Sequence, residues 1–156
     1  MTIKEYMKQG HRLDERINLK LRELRDLREA ACSPGSTWNT EDRVITSRLE
    51  EAPFVRQLER IERMEAEINR EIDQLADLKA QMKQMFRWAG KVKSEYELVL
   101  IYRDLEGMSW GEISRIMKAS VSTAKRWHEQ ALGLLTLPEN PIVIGEDGVS
   151  GNLGIE

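Results

Sequence analysis

The chain carries one cysteine, Cys32, so no disulfide can close within it, and a reducing compartment is its simplest setting. Its two histidines, His11 and His128, are far apart in sequence and offer no metal-ligand spacing with that single thiol. No metal and no cofactor is expected. No apolar run approaches the roughly 18–20 residues of a bilayer-spanning helix, and the opening MTIKEYMKQGHRLDER lacks the apolar core of a signal peptide. The expected place is therefore the cytosol. Only four prolines interrupt 156 residues that are 40% hydrophobic and 33% charged, a balance that suits an all-α chain. There is no nucleophile–base pair and no glycine-rich phosphate loop, so an enzyme is not expected. A net charge of −3 excludes a polycation, and any nucleic-acid binding must come from a local patch.

Helical periodicity is what the chain has in quantity. Thr2-Ile3-Lys4-Glu5 is a capping box that opens an amphipathic segment to about Ala31. Its stripe runs Ile3, Tyr6, Gly10, Leu13, Ile17, Leu24, Leu27, Ala31 in steps of three and four, with Leu21 beside it and Lys20 interrupting. Cys32-Ser33-Pro34-Gly35-Ser36 then breaks the helix. A short helix over about 40–51 is expected next, with Trp38 in the polar loop before it, open equally to a partner contact or a cap over the hairpin. Pro53 suits the first turn of a second long helix. That helix has the stripe Phe54, Leu58, Ile61, Ile68, Ile72, Leu75, Met82, Phe86, with Glu65 and Lys79 at seam positions and Met64 and Leu78 as substitutes. Its acids over residues 59–77 alternate with arginine, which reads as a solvent face rather than a catalytic pair. Gly90 ends the pattern. The two helices are expected to fold back as a long, coiled-coil-like hairpin over residues 1–89, serving dimerisation or partner binding.

A three-helix unit is expected over 91–135. Ser94 and Glu97 have the spacing of a further capping box, opening a helix with Leu98, Ile101, Tyr102 and Leu105 inward, and Gly107 suits the left-handed position after it. Ser109-Trp110-Gly111-Glu112 is a capping box for the next, with Ile113, Ile116 and Met117 on one face. Ser120 caps the last, whose inward stripe is Ala124, Trp127, Ala131, Leu135. Between Arg115 and His128 stand four basic residues, Arg115, Lys118, Lys125 and Arg126, and no acid. Two helices joined by a three-residue turn with a basic rim point to a DNA-binding helix-turn-helix. Residues 136–156 hold four acids and no base, with two prolines and four glycines, and read as an acidic, unstructured tail; Ile142-Val143-Ile144 is its one apolar run.

The stretch EISRIMKASVSTAKR resembles the helix-turn-helix of sigma-70 region 4: Glu112, Ile113, Met117, Ser120, Ser122, Thr123, Lys125 and Arg126 agree with its pattern. Ser114, Lys118 and Ala124 stand where alanine, glycine, and valine or isoleucine are usual. A turn residue with positive φ is strained for lysine, so a variant turn shape is expected. More widely, Tyr102-Arg103, Gly107, Ser109-Trp110, Glu112-Ile113, Met117, Ser120, Arg126, His128 and Ala131-Leu132 resemble phage-encoded regulators of the ArpU and RinA type. In those an R-L-D-x-R-I-like segment, here Arg12 to Ile17, precedes the motif. The resemblance implies an all-α fold and a sequence-specific regulator of late phage or prophage genes in the bacterial host cytosol. The expected partners are double-stranded DNA and, through the N-terminal helices, either host RNA polymerase or a second copy of the chain, because a lone motif with so few cations needs further hold on DNA.

In a helix-turn-helix the start of the second helix enters the major groove. The expected DNA-facing residues are Val121, Ser122, Lys125 and Arg126, with Glu129 one turn on, and Ser109, Arg115, Ser120 and Thr123 toward the backbone. Trp110 and Trp127 fall at core positions, and His128 reads as a surface or phosphate-adjacent side chain rather than a catalyst. The alternative function is a small terminase subunit or other phage DNA-packaging protein, in which a helix-turn-helix is also joined to oligomerising helices.

Overall fold

The computed structural model describes residues 1–32 and 53–145. The short helix expected over 40–51, and Trp38, lie outside them. The elements are α1 (Ile3–Cys32), α2 (Pro53–Val92), α3 (Ser94–Leu100), a π-helical turn (Ile101–Leu105), α4 (Trp110–Met117) and α5 (Val121–Leu134). The all-α class is as the periodicity implies. None of the described helices is long and apolar enough to cross a membrane.

The chain divides into two compact units, Met1–Asp14 with Asp73–Glu156, and Glu15–Ile72, and both long helices contribute to each. In the second unit α1 and α2 run antiparallel, since Lys20 meets Glu71 while Arg28 meets Glu65. Leu24, Ile61 and Ile68 form the buried core there, packed by Leu27, Ala31 and Met64. The seam of α2 differs from expectation at three positions: Phe54 and Leu58, expected on the inward stripe, are 40% and 41% exposed, and the stripe also shifts at Ile72. Ile72 is exposed, and Glu71 takes the inward position at 6% exposure. The reason is Lys20: its Nζ lies 2.7 Å from Glu71 Oε1 and 3.7 Å from Glu67, and Arg16 Nε lies 3.4 Å from the same Glu71 oxygen. A carboxylate inside a helix pair needs such partners to offset the water it gives up.

In the first unit the start of α1 opens with the expected box: Thr2 N–H donates to Glu5 at 2.7 Å and Glu5 N–H to the Thr2 hydroxyl at 3.2 Å. Tyr6 and Met7 join Leu78, Met82, Met85, Phe86 and Ala89 of α2 in a core completed by Leu100, Ala131 and Leu135. Gly90 does not end α2, which continues to Val92. A Cβ at Gly90 would collide with the Glu97 carboxylate and stand 3.0 Å from its Cβ, so glycine is what lets α3 fold back closely on α2. Lys93 alone separates the two helices, extended at φ −155°. It takes the N-cap position, so Ser94 is already helical and caps nothing with its hydroxyl. The register of α3 shifts accordingly: Val99 and Leu100 are buried, whereas Leu98 is 41% exposed. A π turn follows, closed by Glu106 N–H to Ile101 C=O at 3.0 Å, and ends on Gly107 at φ 65°.

The expectation of an unstructured segment from residue 136 is corrected for residues 136–145. Leu137, Ile142 and Ile144 pack on the core. Ile142 N–H donates to Gln81 Oε1 at 3.0 Å, Ile144 N–H to Gln9 Oε1 at 2.8 Å, and Gln81 Nε2 to Asn140 C=O at 2.8 Å. Composition hid this because the partners, two glutamines and an apolar groove, belong to distant parts of the chain. Residues 146–156 lie outside the description.

Candidate nucleic-acid interface

The helix-turn-helix is built by two caps and a turn. Ser109, extended at φ −68° and ψ 155°, accepts from Glu112 N–H at 3.3 Å, and the Glu112 carboxylate accepts from Ser109 N–H at 3.3 Å. Both ends of the expected box are therefore made. α4 presents Ile113 to the core. Ile116, expected inward, is 50% exposed, because one turn of this eight-residue helix already spends its narrow inner face on Ile113 and Met117.

Lys118 occupies the turn at φ 53° and ψ 44°, the left-handed conformation that glycine serves in the related pattern. The turn is thus the ordinary form with lysine in it, a correction to the variant shape expected. Its N–H and that of Ala119 both reach Ser114 C=O, the latter at 3.1 Å, which satisfies a carbonyl left over at the helix end. Ser120, at φ −66°, then caps α5 by accepting from Thr123 N–H at 3.1 Å, and its hydroxyl pairs with that of Thr123 at 2.8 Å.

The inner side of α5 is Ala124 and Ala131, both fully buried. Ala124 closes a cluster with Val99 and Ile113 that Tyr102, Met108, Trp110, Met117 and Trp127 surround. The opposite side carries Ser122, Lys125, Arg126 and Glu129, at i, i+3, i+4, i+7, all exposed. Val121 is 38% exposed at the edge of that stripe. Of the remaining candidates, Arg115 is exposed on α4 with its Nε 3.4 Å from Gly111 C=O. Ser109, Ser120 and Thr123 are engaged in capping. The first turn of α5 holds no acid, so the positive end of its dipole is not neutralised there.

Behind the stripe lies a set of contacts that sequence reading missed. The Arg103 guanidinium stands 4.8 Å from the Trp110 ring centroid and donates to Met108 C=O at 2.9 Å. His128, expected at the surface, is half-buried edge-on to Trp110 at 5.4 Å, with Nε2 2.8 Å from Asp104 Oδ2. The π turn explains both: it swings Arg103 and Asp104 toward α4 and α5, and no local signal marks such a turn. Lys125 Nζ lies 6.0 Å from the same Trp110 ring, at the outer reach of a cation–π contact. Among the described residues no group of three His, Cys, Asp or Glu is placed to hold a metal ion.

Residues 90–135 match the family described as Sigma-70, region 4, a stretch that covers α3 to α5 and leaves α1, nearly all of α2 and everything past residue 135 unmatched. No curated protein and no solved structure matches the chain. The C-terminal part is therefore a sigma-70 region 4-like helix-turn-helix, a DNA-binding kind of domain.

Proposed function

We propose that the protein is a sequence-specific regulator of transcription that reads the major groove of double-stranded DNA with α5, in the service of phage or prophage genes, late ones first. The observation that carries this is the exposed stripe Ser122, Lys125, Arg126, Glu129 on a helix whose start is capped and presented by the Lys118–Ser120 turn. Arg126 and Lys125 have the chemistry to meet guanine O6 and N7, and Glu129 to accept from a cytosine amino group. On this reading the chain acts without catalysis, in the bacterial cytosol, and works beside RNA polymerase or as a pair joined through its N-terminal helices. Pairing answers an energetic need: even with all four basic groups of the rim counted against phosphate the salt slope would be only about −4, too weak to hold one copy on its site.

Two measurements test the reading. Crosslinking to phage and host DNA across the genome is expected to give a peak upstream of a late operon; peaks at a packaging site would replace regulation with a role in packaging. Substituting Lys125→Ala or Arg126→Ala is expected to relax discrimination between cognate and altered duplexes by about 1–3 kcal/mol each. Both side chains are exposed, so the fold should survive, and unchanged discrimination would sink α5 as the reading helix.

A further inference from the structure

Between Leu78 and Ser94 the sequence LKAQMKQMFRWAGKVKS holds five basic residues and no acidic one, whereas residues 59–77 of the same helix alternate acid and arginine. Lys79, Lys83, Arg87 and Lys91 recur every four residues, a spacing that aligns them along a slowly turning ridge of α2. Lys79 lines a cleft together with Asp14. The other three are exposed, and none of them forms an ion pair with any described residue. Beside them Trp88 is 68% exposed, with Lys91 Nζ 4.0 Å from its ring centroid.

Folding does not ask for this arrangement. Like charges at i, i+4 weaken a helix, and an isolated indole in water gains nothing. The negative end of the helix dipole favours a cation in the last turn, which accounts for Lys91 but for neither Lys83 nor Arg87. The ridge also has a neighbour. Lys93 Nζ lies 4.9 Å from the Trp127 ring, the Tyr96 hydroxyl meets Gln130 Oε1 at 2.9 Å, and Trp88 and Leu134 line one shallow groove. The end of α2 thus lies beside the Trp127–Leu134 part of α5, in the same compact unit and beyond the stripe that begins at Ser122.

We propose that Lys83, Arg87 and Lys91, with Trp88, form a second DNA contact that grips backbone phosphates flanking the sequence read by α5. The proposal rests on the DNA-binding reading above. Successive cations rise about 6 Å along the helix, against a duplex that carries one charge per roughly 1.7 Å of its axis. Ammonium, guanidinium and indole N–H groups are all donors to phosphate oxygen, and such contacts hold the protein on DNA without reading sequence. The ridge supplies the charge that the helix-turn-helix alone lacks.

The test is a salt titration of binding by the full chain to a random-sequence duplex and to a cognate duplex from the crosslinking peak. It compares the unmodified protein with the triple variant Lys83→Gln, Arg87→Gln, Lys91→Gln and with Lys125→Ala. Three lost phosphate contacts should reduce the slope of log K against log salt by about 2.7, roughly a hundredfold in affinity at physiological salt. That loss should fall equally on both duplexes, leaving discrimination intact. Lys125→Ala should instead change discrimination. A triple variant with the unmodified slope and a native thermal transition would overturn the proposal while the α5 reading stands, and would assign the ridge to an acidic protein partner. An unmodified protein that binds neither duplex at low salt would overturn both.

Discussion

Replacing Lys118 by glycine isolates the energetics of the turn from its charge. Lys118 is the one described non-glycine residue with positive φ, at 53° with ψ 44°. An L-residue pays about 1–2 kcal/mol in that conformation, which glycine avoids. Glycine in turn loses about 0.5–1 kcal/mol more chain entropy on folding. The difference leaves a net stabilisation of about 0.75 kcal/mol, and at most about 1.5. Nothing else is forfeited within the fold, because the Lys118 side chain is exposed and the bonds of the turn run through the backbone N–H groups to Ser114 C=O. For a unit near 100 residues this corresponds to a rise in Tm of roughly 3–6 °C. Thermal unfolding of the full chain followed by circular dichroism measures it, with Lys118→Ala as the control that removes the same charge but keeps the strained backbone. Alanine should be no more stable than lysine. If alanine stabilises as much as glycine, charge and not backbone conformation is at issue. If glycine destabilises, the left-handed turn is not the native one. On DNA, Lys118→Gly should lower the salt slope by no more than about 0.9, since one cation is lost.

Two further outcomes follow from the helix pair and its core. Lys20→Leu leaves the Glu71 carboxylate with Arg16 alone and should destabilise by about 1–3 kcal/mol, while Lys20→Leu with Glu71→Leu should restore or exceed the starting stability; a double variant as weak as the single would show that the seam needs its polar layer. Burial raises the Tyr6 phenol from its ordinary 10.0 to about 12. The neutral phenol is thus favoured in the fold, so its stabilising contribution is complete below about pH 10 and is lost as pH climbs toward 12. Alkaline denaturation followed by near-UV absorbance should show that loss, and Tyr6→Phe should flatten it; equal steepness in both would refute the assignment.

The parts of the fold written locally were readable from the residues. The Ser109–Glu112 box and the Ser120 cap involve groups three residues apart, so the chain specifies them before any tertiary contact forms. The outward stripe of α5 is equally local, because a 3.6-residue period with alanine on one side and charge on the other leaves one way to bury the helix. The same rule failed at Ser94, where the spacing was right but Lys93 took the cap. There the decision lay with the close approach of Glu97 to Gly90, a contact between two helices.

Local residue patterns were enough to set the all-α class, the start of α4 and of α5, and the identity of the side chains that α5 turns to solvent. The remaining features came from contacts between distant parts of the chain. Glu71 displaced Ile72 from the seam because Lys20 sits opposite on α1. The π turn brought Asp104 to His128 and Arg103 to Trp110. Residues 136–145 found Gln9 and Gln81. Each depends on a partner far along the chain, and a charge or glutamine has no fixed inward or outward preference until that partner is in place. Helix-forming periodicity needs no partner, which is why it could be read first.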